Sequence, residues 1–450
     1  MRINSIEIIG LFNTFNHKLD LKSNSDLTIL LGQNGLGKTA ILSLVNSLFS
    51  YEFDKLIAYP YRELSLIFSD RTKLLITPIF NKEIGSYESV LTYRKRGIEN
   101  SVKTEEIRKN RNMIAHGIFY EIPQDRYKRT RSEQWLDSNT GAYLTTDELI
   151  DIYPDAIIVP EGIDKHGCPL WLSKIISTTP VFLISTKRLQ TISTHRVNMS
   201  RDVVDVKDSV NECAKDFLQR LIDTKAKASS VASELDRSYP RRLISELGVQ
   251  TKDIFQKLSR AENVYLNVIN NLRETEKKRR KLVEVGLMDS ARDETFSSLT
   301  NKLSDDVVHA LNIYLEDSSK KLDVYQPMSD KISLFIELIN SRFIKKEISV
   351  SKEGLALKST VTKEPIPLSK LSSGEQHLFI LYYNMLFKCP DDVLILMDEP
   401  EISLNISWQK SLVADLERIM KLSHISILMA THSPSIVRNY WDLTCELSAE

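Results

Sequence analysis

The chain reads as an α/β protein, a head with a parallel core sheet and a β-rich first lobe, into which an antiparallel helical arm is inserted. Three observations predict this. Gly32-Gln33-Asn34-Gly35-Leu36-Gly37-Lys38-Thr39 is a complete phosphate-binding loop between a strand-like and a helix-like run. Far down the chain one apolar run ends in Asp398-Glu399 and another ends at His432. Between these ends, from about residue 200 to 342, the sequence becomes polar and helical.

Taken in order, Ile6-Glu7-Ile8-Ile9 opens the first lobe, and Leu27-Thr28-Ile29-Leu30-Leu31 is a buried strand. Residues 40–45 continue as a helix. The glycines between strand and helix let backbone N–H groups curl around a β-phosphate at the helix N-terminus. Lys38 would reach the β- and γ-phosphates, and Thr39 would place its hydroxyl on Mg²⁺. Leu66-Ile67-Phe68 and Leu74-Leu75-Ile76 are expected to pair across the 69–72 turn. Residues 94–131 carry about twice as many bases as acids, including Arg94, Lys95, Arg96 and Arg126. Two readings stand for that stretch, a surface for nucleic acid or an acidic partner and a solvated insertion near the nucleotide. Val181-Phe182-Leu183-Ile184 then returns to the core sheet, with Gln190 as a weak candidate for a Mg²⁺-sensing glutamine.

Val210, Ala214, Phe217 and Leu221, and later Leu299, Leu303, Val307, Leu311 and Leu315, place apolar residues on one helix face. Breaks at Ser238-Tyr239-Pro240 and at Gly286-Leu287-Met288-Asp289 predict three long helices in the arm. Lys352-Glu353-Gly354 turns a hairpin between Glu347-Ile348-Ser349-Val350 and Leu355-Ala356-Leu357. Val393-Leu394-Ile395-Leu396-Met397 is a central parallel strand. Asp398 at its end suits a Mg²⁺ ligand acting through water, and Glu399 one step further suits a base that orients the attacking water. His432 ends the strand run Ile425 to Ala430, where an imidazole can meet a γ-phosphate or that water. The expected domains are 1–199 with the phosphate loop, 200–342 as the arm, and 343–450 with the second set of motifs.

Leu371-Ser372-Ser373-Gly374-Glu375-Gln376 resembles the signature motif of ABC-type P-loop ATPases in the form used by the RecF/SMC-like branch. Read without that resemblance, it is a serine N-cap followed by a capping Glu. The resemblance implies that Ser372, Ser373, Gly374 and Glu375 act in trans on ATP held by a second chain, so that ATP joins a head-to-tail homodimer or a higher homo-oligomer. The segments 10–17, 371–378, 397–404 and 431–444 further resemble bacterial anti-phage ATPases, most of all the AriA type of the PARIS system, with Septu and retron-associated ATPases as relatives. This family implies a slow ATPase scaffold that holds a separate nuclease-like effector and releases or activates it on meeting a phage trigger protein. Its cofactors would be ATP and Mg²⁺. Its site would be Gly32 to Thr39 for the nucleotide, Thr39 and Asp398 for the metal, and Glu399 and His432 for catalysis. One departure is Asn405, which stands where relatives carry His after Ser-Leu. The alternative is a RecF/SMC-type DNA-repair clamp, which predicts salt-sensitive DNA binding.

Composition sets the remaining bounds. The 450 residues are 42% hydrophobic, with 60 acidic and 60 basic residues in balance, so net charge demands neither nucleic acid nor an anionic membrane. Nucleic acid is therefore a possible but not a required partner. No secretory leader and no apolar run of membrane-spanning length is present, so a cytoplasmic protein is expected. Cys168, Cys213, Cys389 and Cys445 are scattered without metal-ligand spacing, which predicts free thiols. The few residues after His432 leave no expected room for a Toprim nuclease domain, and the long insertion after the phosphate loop argues against a transporter subunit.

Overall fold

Two different sheets, one antiparallel and one parallel, are built in the same compact unit, which combines Met1–Lys207 with Lys388–Glu450. The computed structural model describes all residues except 22–25, 83–84, 131–133, 142, 145–147, 150–151, 154–158, 185–189, 197–201, 248–253, 290–304 and 448–450. The antiparallel sheet comprises β1 (Ile3–Leu11), β2 (Phe15–Asp20), β4 (Glu63–Phe68), β5 (Lys73–Asn81), β6 (Ser86–Lys95) and β7 (Ile98–Lys103), in the order β2-β1-β4-β5-β6-β7. The turn at 69–72 joins β4 to β5 as expected, with the Asp70 carboxylate accepting the Thr72 N–H. The second sheet comprises β3 (Leu27–Leu31), β11 (Val181–Ile184), β16 (Leu394–Asp398), β17 (Ser426–Ala430) and β18 (Thr444–Glu446), in the order β11-β16-β17-β3-β18. Every pairing in it is parallel, and β3, β11, β16 and β17 are apolar on both faces accordingly, while the edge strand β18 is polar.

The helix Lys38–Phe49 is buried almost all round, through Ile41, Leu44, Val45 and Leu48 among others. Those residues share one core with Ile6, Ile8 and Leu66 of the antiparallel sheet and with Leu30, Leu396 and Leu428 of the parallel one. Register then fixes the chemistry: Asp398 lies beside Ala430 and Ala430 beside Leu30, so three strands end level and deliver their following loops to one edge. A small sheet of β8 (Tyr127–Arg129), β9 (Trp135–Asp137) and β10 (Tyr143–Leu144) has its own core around Ile114, Tyr127, Trp135 and Leu149. β12 (Gln190–Arg196) and β13 (Asp202–Asp208) form a two-stranded sheet. The side chain of Gln190 lies outside the described residues.

Two compact units divide the chain, Met1–Lys207 with Lys388–Glu450, and Asp208–Phe387. The segment 343–450, read from sequence as one lobe, is thus shared between the units. The second unit holds helices Ser209–Leu247, Ile254–Glu284, Asp305–Asp323 and Gln326–Asn340, the hairpin β14 (Lys346–Ser351) and β15 (Gly354–Ser359), and the helix Ser373–Tyr383. Phe335 packs against Phe379 and Phe387 at ring-centroid separations of 5.2 and 5.7 Å, and Phe217 meets Phe387 at 5.5 Å.

Two expectations are corrected here. The helix Ser209–Leu247 runs through Pro240 instead of breaking there, and because Asp305–Asp323 and Gln326–Asn340 are separate helices the described residues from 209 to 340 form four helices, not three long ones. Near the proline, Arg242 Nη2 donates to the Leu235 carbonyl at 3.1 Å, and Ser238 Oγ donates to it at 3.0 Å. Arg242 also grips the buried Asp317 with both Nη atoms, which holds the two helices together across that point. The apolar stripe is also less regular than its spacing implies. Val210, Phe217, Leu221 and Leu315 are buried and Ala214 and Leu311 half-buried, but Val307 is 43% exposed, and Leu299 and Leu303 lie outside the described residues. The second break holds, since the helix ends at Glu284 and Gly286 follows with φ of 72°. A Cβ on Gly286 would stand 2.7 Å from the Val350 carbonyl oxygen, so the close approach to the hairpin requires glycine.

Candidate functional site

The phosphate loop leaves β3 at Leu31 and enters its helix at Lys38, with Gln33, Asn34 and Gly35 exposed and Leu36 buried. Leu36 is held from the antiparallel sheet. The buried His17 on β2 meets the Leu36 carbonyl at 2.9 Å, and because a carbonyl only accepts, Nε2 carries the proton. Gly37 adopts φ of 93°, and a Cβ there would come within 2.3 Å of Leu11 Cδ2. The loop can lie this close to β1 only with glycine.

Lys38 folds back under the loop, donating to the carbonyls of Gly32 at 2.7 Å and Gln33 at 3.1 Å. Its ammonium also stands 3.4 Å from His432 Nδ1. An ammonium has no lone pair, so Nδ1 is the acceptor and the neutral ring carries its proton on Nε2, which faces Glu399 Oε1 at 3.6 Å. Thr39 Oγ1 donates to Asp398 Oδ1 at 3.1 Å. The loop, the acidic pair and the histidine read from sequence therefore meet at one sheet edge, although His432 lies 394 positions from Lys38.

Burial pushes the Lys38 ammonium below its ordinary value, against the upward pull of Glu399, Asp398 and Glu401. Burial likewise raises Asp398, with Glu399 adding to the effect and the Thr39 hydrogen bond opposing it. Three carboxylates around one ammonium leave an excess of negative charge, and a hydroxyl beside a carboxylate is a hard oxygen donor set. These residues fit Mg²⁺ shared with phosphate oxygens. Among the described residues no cluster of three or more His, Cys, Asp and Glu is set to hold a metal unaided. Glu399 sits at φ of 44°, a left-handed conformation uncommon for a residue with a side chain, and its N–H is fixed on the Ala430 carbonyl at 2.9 Å.

Glu401 was given no role by the sequence. Its Oε1 accepts both the Thr431 hydroxyl and the His432 N–H, the latter at 3.1 Å. Asn405 caps the helix Ile406–Ser423 by accepting the Trp408 N–H at 3.0 Å. Gln409 on that helix accepts from Ser433 Oγ at 2.8 Å.

The signature residues fall in the second unit, at the N-terminus of the helix Ser373–Tyr383. Ser372 and Ser373 are exposed. Ser372 forms a full capping box: its Oγ accepts the Glu375 N–H at 3.4 Å, while Glu375 Oε2 accepts the Ser372 N–H at 2.7 Å and its hydroxyl at 2.8 Å. Lys346 on β14 clamps Glu375 through both oxygens, at 3.0 and 2.7 Å. Burial tends to raise the Glu375 carboxyl, but Lys346 and Ser372 together bring it below its ordinary value. In the basic stretch several charges are neutralised locally, with Arg94 on Glu99, Arg108 on Glu105, Lys95 on Asp70 and Arg126 on Asp137. No helix among the described residues is long and apolar enough to cross a membrane.

The chain is similar to known proteins at different distances. The Retron Ec83 probable ATPase of Escherichia coli is 21% identical over 436 residues, covering 93% of this chain, and the chain spans 66% of that relative's length. The Smc head domain of Pyrococcus furiosus, solved with an extended coiled coil and the C-terminal domain of ScpA, superposes with a TM-score of 0.35 at 14% identity, covering 97% of this chain and 91% of that one. The SMC head domain of Thermotoga maritima gives a TM-score of 0.33 at 12% identity, covering 100% and 95%. A family model described as AAA ATPase domain matches residues 1–437, and with that match over nearly the whole length the chain belongs to the AAA ATPase domain family.

Proposed function

We propose that this chain binds and slowly hydrolyses ATP, and that it does so as the scaffold and sensor of a bacterial anti-phage defence system. The observation that carries the ATPase reading is the meeting of Lys38, Thr39, Asp398, Glu399 and His432 at the level ends of β3, β16 and β17. Lys38, now bonded to two loop carbonyls, has the reach to exchange them for phosphate oxygens. Thr39 and Asp398 would hold Mg²⁺, which when bound would neutralise phosphate charge. Glu399 orients the water that attacks the γ-phosphorus as the bond to the β-phosphate oxygen breaks, and His432, whose Nε2 faces Glu399, hydrogen-bonds the γ-phosphate or that water. Ser372, Ser373, Gly374 and Glu375 act on ATP bound to a second chain, so the working form is at least a head-to-tail dimer.

The defence role is supported by the likeness to a retron ATPase and by the motif resemblance to anti-phage ATPases, of which the AriA type of the PARIS system is the narrower reading. On that reading the partners are a nuclease-like effector held by the scaffold and a phage trigger protein that releases or activates it. The test is the ATPase rate of the purified chain with and without duplex DNA, together with its mass in solution with ATP. A DNA-indifferent rate in an assembly larger than a dimer is expected. Strong stimulation by DNA in a dimer would overturn the scaffold in favour of a DNA-repair clamp.

A further inference from the structure

We infer that Glu401 is a positioning residue for His432, setting the histidine from the backbone side while its ring faces the nucleotide loop. This rests on the reading of His432 as a catalytic group. The segment Thr431-His432-Ser433 is tied at two points to the stretch that follows the acidic pair. At the first, Glu401 Oε1 receives both the Thr431 hydroxyl and the His432 N–H. At the second, Ser433 Oγ donates to Gln409 Oε1 at 2.8 Å, and Gln409 Nε2 donates in turn to the Leu404 carbonyl at 3.0 Å. Thr431, fully buried, relays the first tie onward by accepting the Ser433 N–H at 2.9 Å.

The consequence is geometric. The His432 ring must stay within reach of both Lys38, 3.4 Å from Nδ1, and Glu399, 3.6 Å from Nε2. A ring on a free loop would swing through a wide arc, whereas one whose own N–H is bonded to a fixed carboxylate has little freedom beyond its side-chain torsions. Glu401 is itself held in a tight turn, in which the Ile402 N–H donates to the Glu399 carbonyl and the Leu404 N–H donates to that of Glu401. Base, turn and histidine thus form one connected piece, and a shift of the Ile406–Ser423 helix through Gln409 would move His432 with it.

The bonds come from one oxygen only. Glu401 Oε2 is buried with no hydrogen-bond partner among the described residues. A glutamine amide oxygen has two lone pairs and can accept both bonds, so Glu401→Gln separates geometry from charge. The experiment measures kcat and KM for ATP with Mg²⁺ on the full chain, alongside thermal melting, for Glu401→Ala, Glu401→Gln, His432→Ala and the Glu401→Ala/His432→Ala double variant. Glu401→Ala is expected to lower kcat on the order of 10- to 100-fold with KM little changed. Glu401→Gln should recover most of that loss. In the His432→Ala background, removing Glu401 should change the rate by less than about twofold, because the two act as a unit. Equal losses in Glu401→Gln and Glu401→Ala would overturn positioning in favour of a role for the charge. Independent, multiplicative losses would show that Glu401 does not act through His432. Unchanged turnover in His432→Ala would remove the reading of His432 itself, a failure separate from that of Glu401.

Discussion

At the scale of residues, a single atom decides whether the phosphate loop can close. Gly37 combines φ of 93° with a site where a Cβ would lie 2.3 Å from Leu11 Cδ2 and 3.3 Å from Phe12 Cε2. Gly37→Ala must either distort the loop or push β1 away, at a cost of roughly 1–3 kcal/mol from the backbone alone. Its melting temperature should fall and its ATP affinity with it; a variant that melts and binds like wild type would mean the loop has room that this geometry denies. Glu399 supplies the complementary case, a residue whose loss is expected to leave binding intact. Glu399→Gln keeps the size of the side chain but removes the base, so ATP should still bind while hydrolysis falls by about 10²- to 10⁴-fold. Turnover at the wild-type rate would remove Glu399 from the chemistry. The difference between these two residues follows from position: Gly37 shapes the site, whereas Glu399 reaches into it from a strand end.

Among elements, the helix Ser373–Tyr383 is the best test of how local capping serves a larger purpose. Its first turn depends on Glu375, which closes the capping box with Ser372 and takes both oxygens to Lys346 on the hairpin. Because its folded pKa lies below the ordinary 4.5, its contribution is fully present above about pH 4.5 and is lost as pH falls further through the folded value. Lys346→Met should therefore reduce stability at neutral pH, and the deficit should shrink in acid as Glu375 protonates in both proteins. Melting curves of the two proteins between pH 7 and pH 3 check this, and a deficit that stays constant across the range would show that the pair is not what Lys346 contributes. The cap itself was legible in the sequence, since Ser-x-x-Glu is a local signal; the clamp was not, because nothing local ties position 346 to 375. The same division runs through the chain. Apolar runs ending in Asp398-Glu399 and near His432 announced parallel strands, because burial on both faces leaves a compositional trace. Pro240 misled because a proline carried inside a long helix has no local signal that distinguishes it from one that breaks the helix. Glu401 stood in a segment already recognised, yet its partners Thr431 and His432 lie 30 and 31 positions away, and only the register of β16 on β17 brings them together.

On the scale of the whole molecule, each chain carries one phosphate loop and one signature motif, and they belong to different compact units. The loop, acidic pair and histidine meet within the first unit, while Ser372 and Ser373 stand exposed at a helix N-terminus, where backbone N–H groups favour an anion. If that N-terminus completes the site of a second chain, ATP is part of the interface and its hydrolysis loosens the assembly, giving partners a two-state element to bias. Glu399→Gln should then accumulate the closed form. Its mass in solution should at least double on adding ATP and Mg²⁺ and fall back when the nucleotide is removed. Ser372→Arg, which fills the helix N-terminus with a cation, should bind ATP yet neither assemble nor hydrolyse. Losing the N-cap costs about 1 kcal/mol by itself, so Ser372→Asn serves as the control, because asparagine caps a helix but lacks the hydroxyl. A Glu399→Gln protein whose mass ignores ATP, or a Ser372→Arg protein with full turnover, would mean that one chain makes its site alone and that any coupling to partners travels by another route.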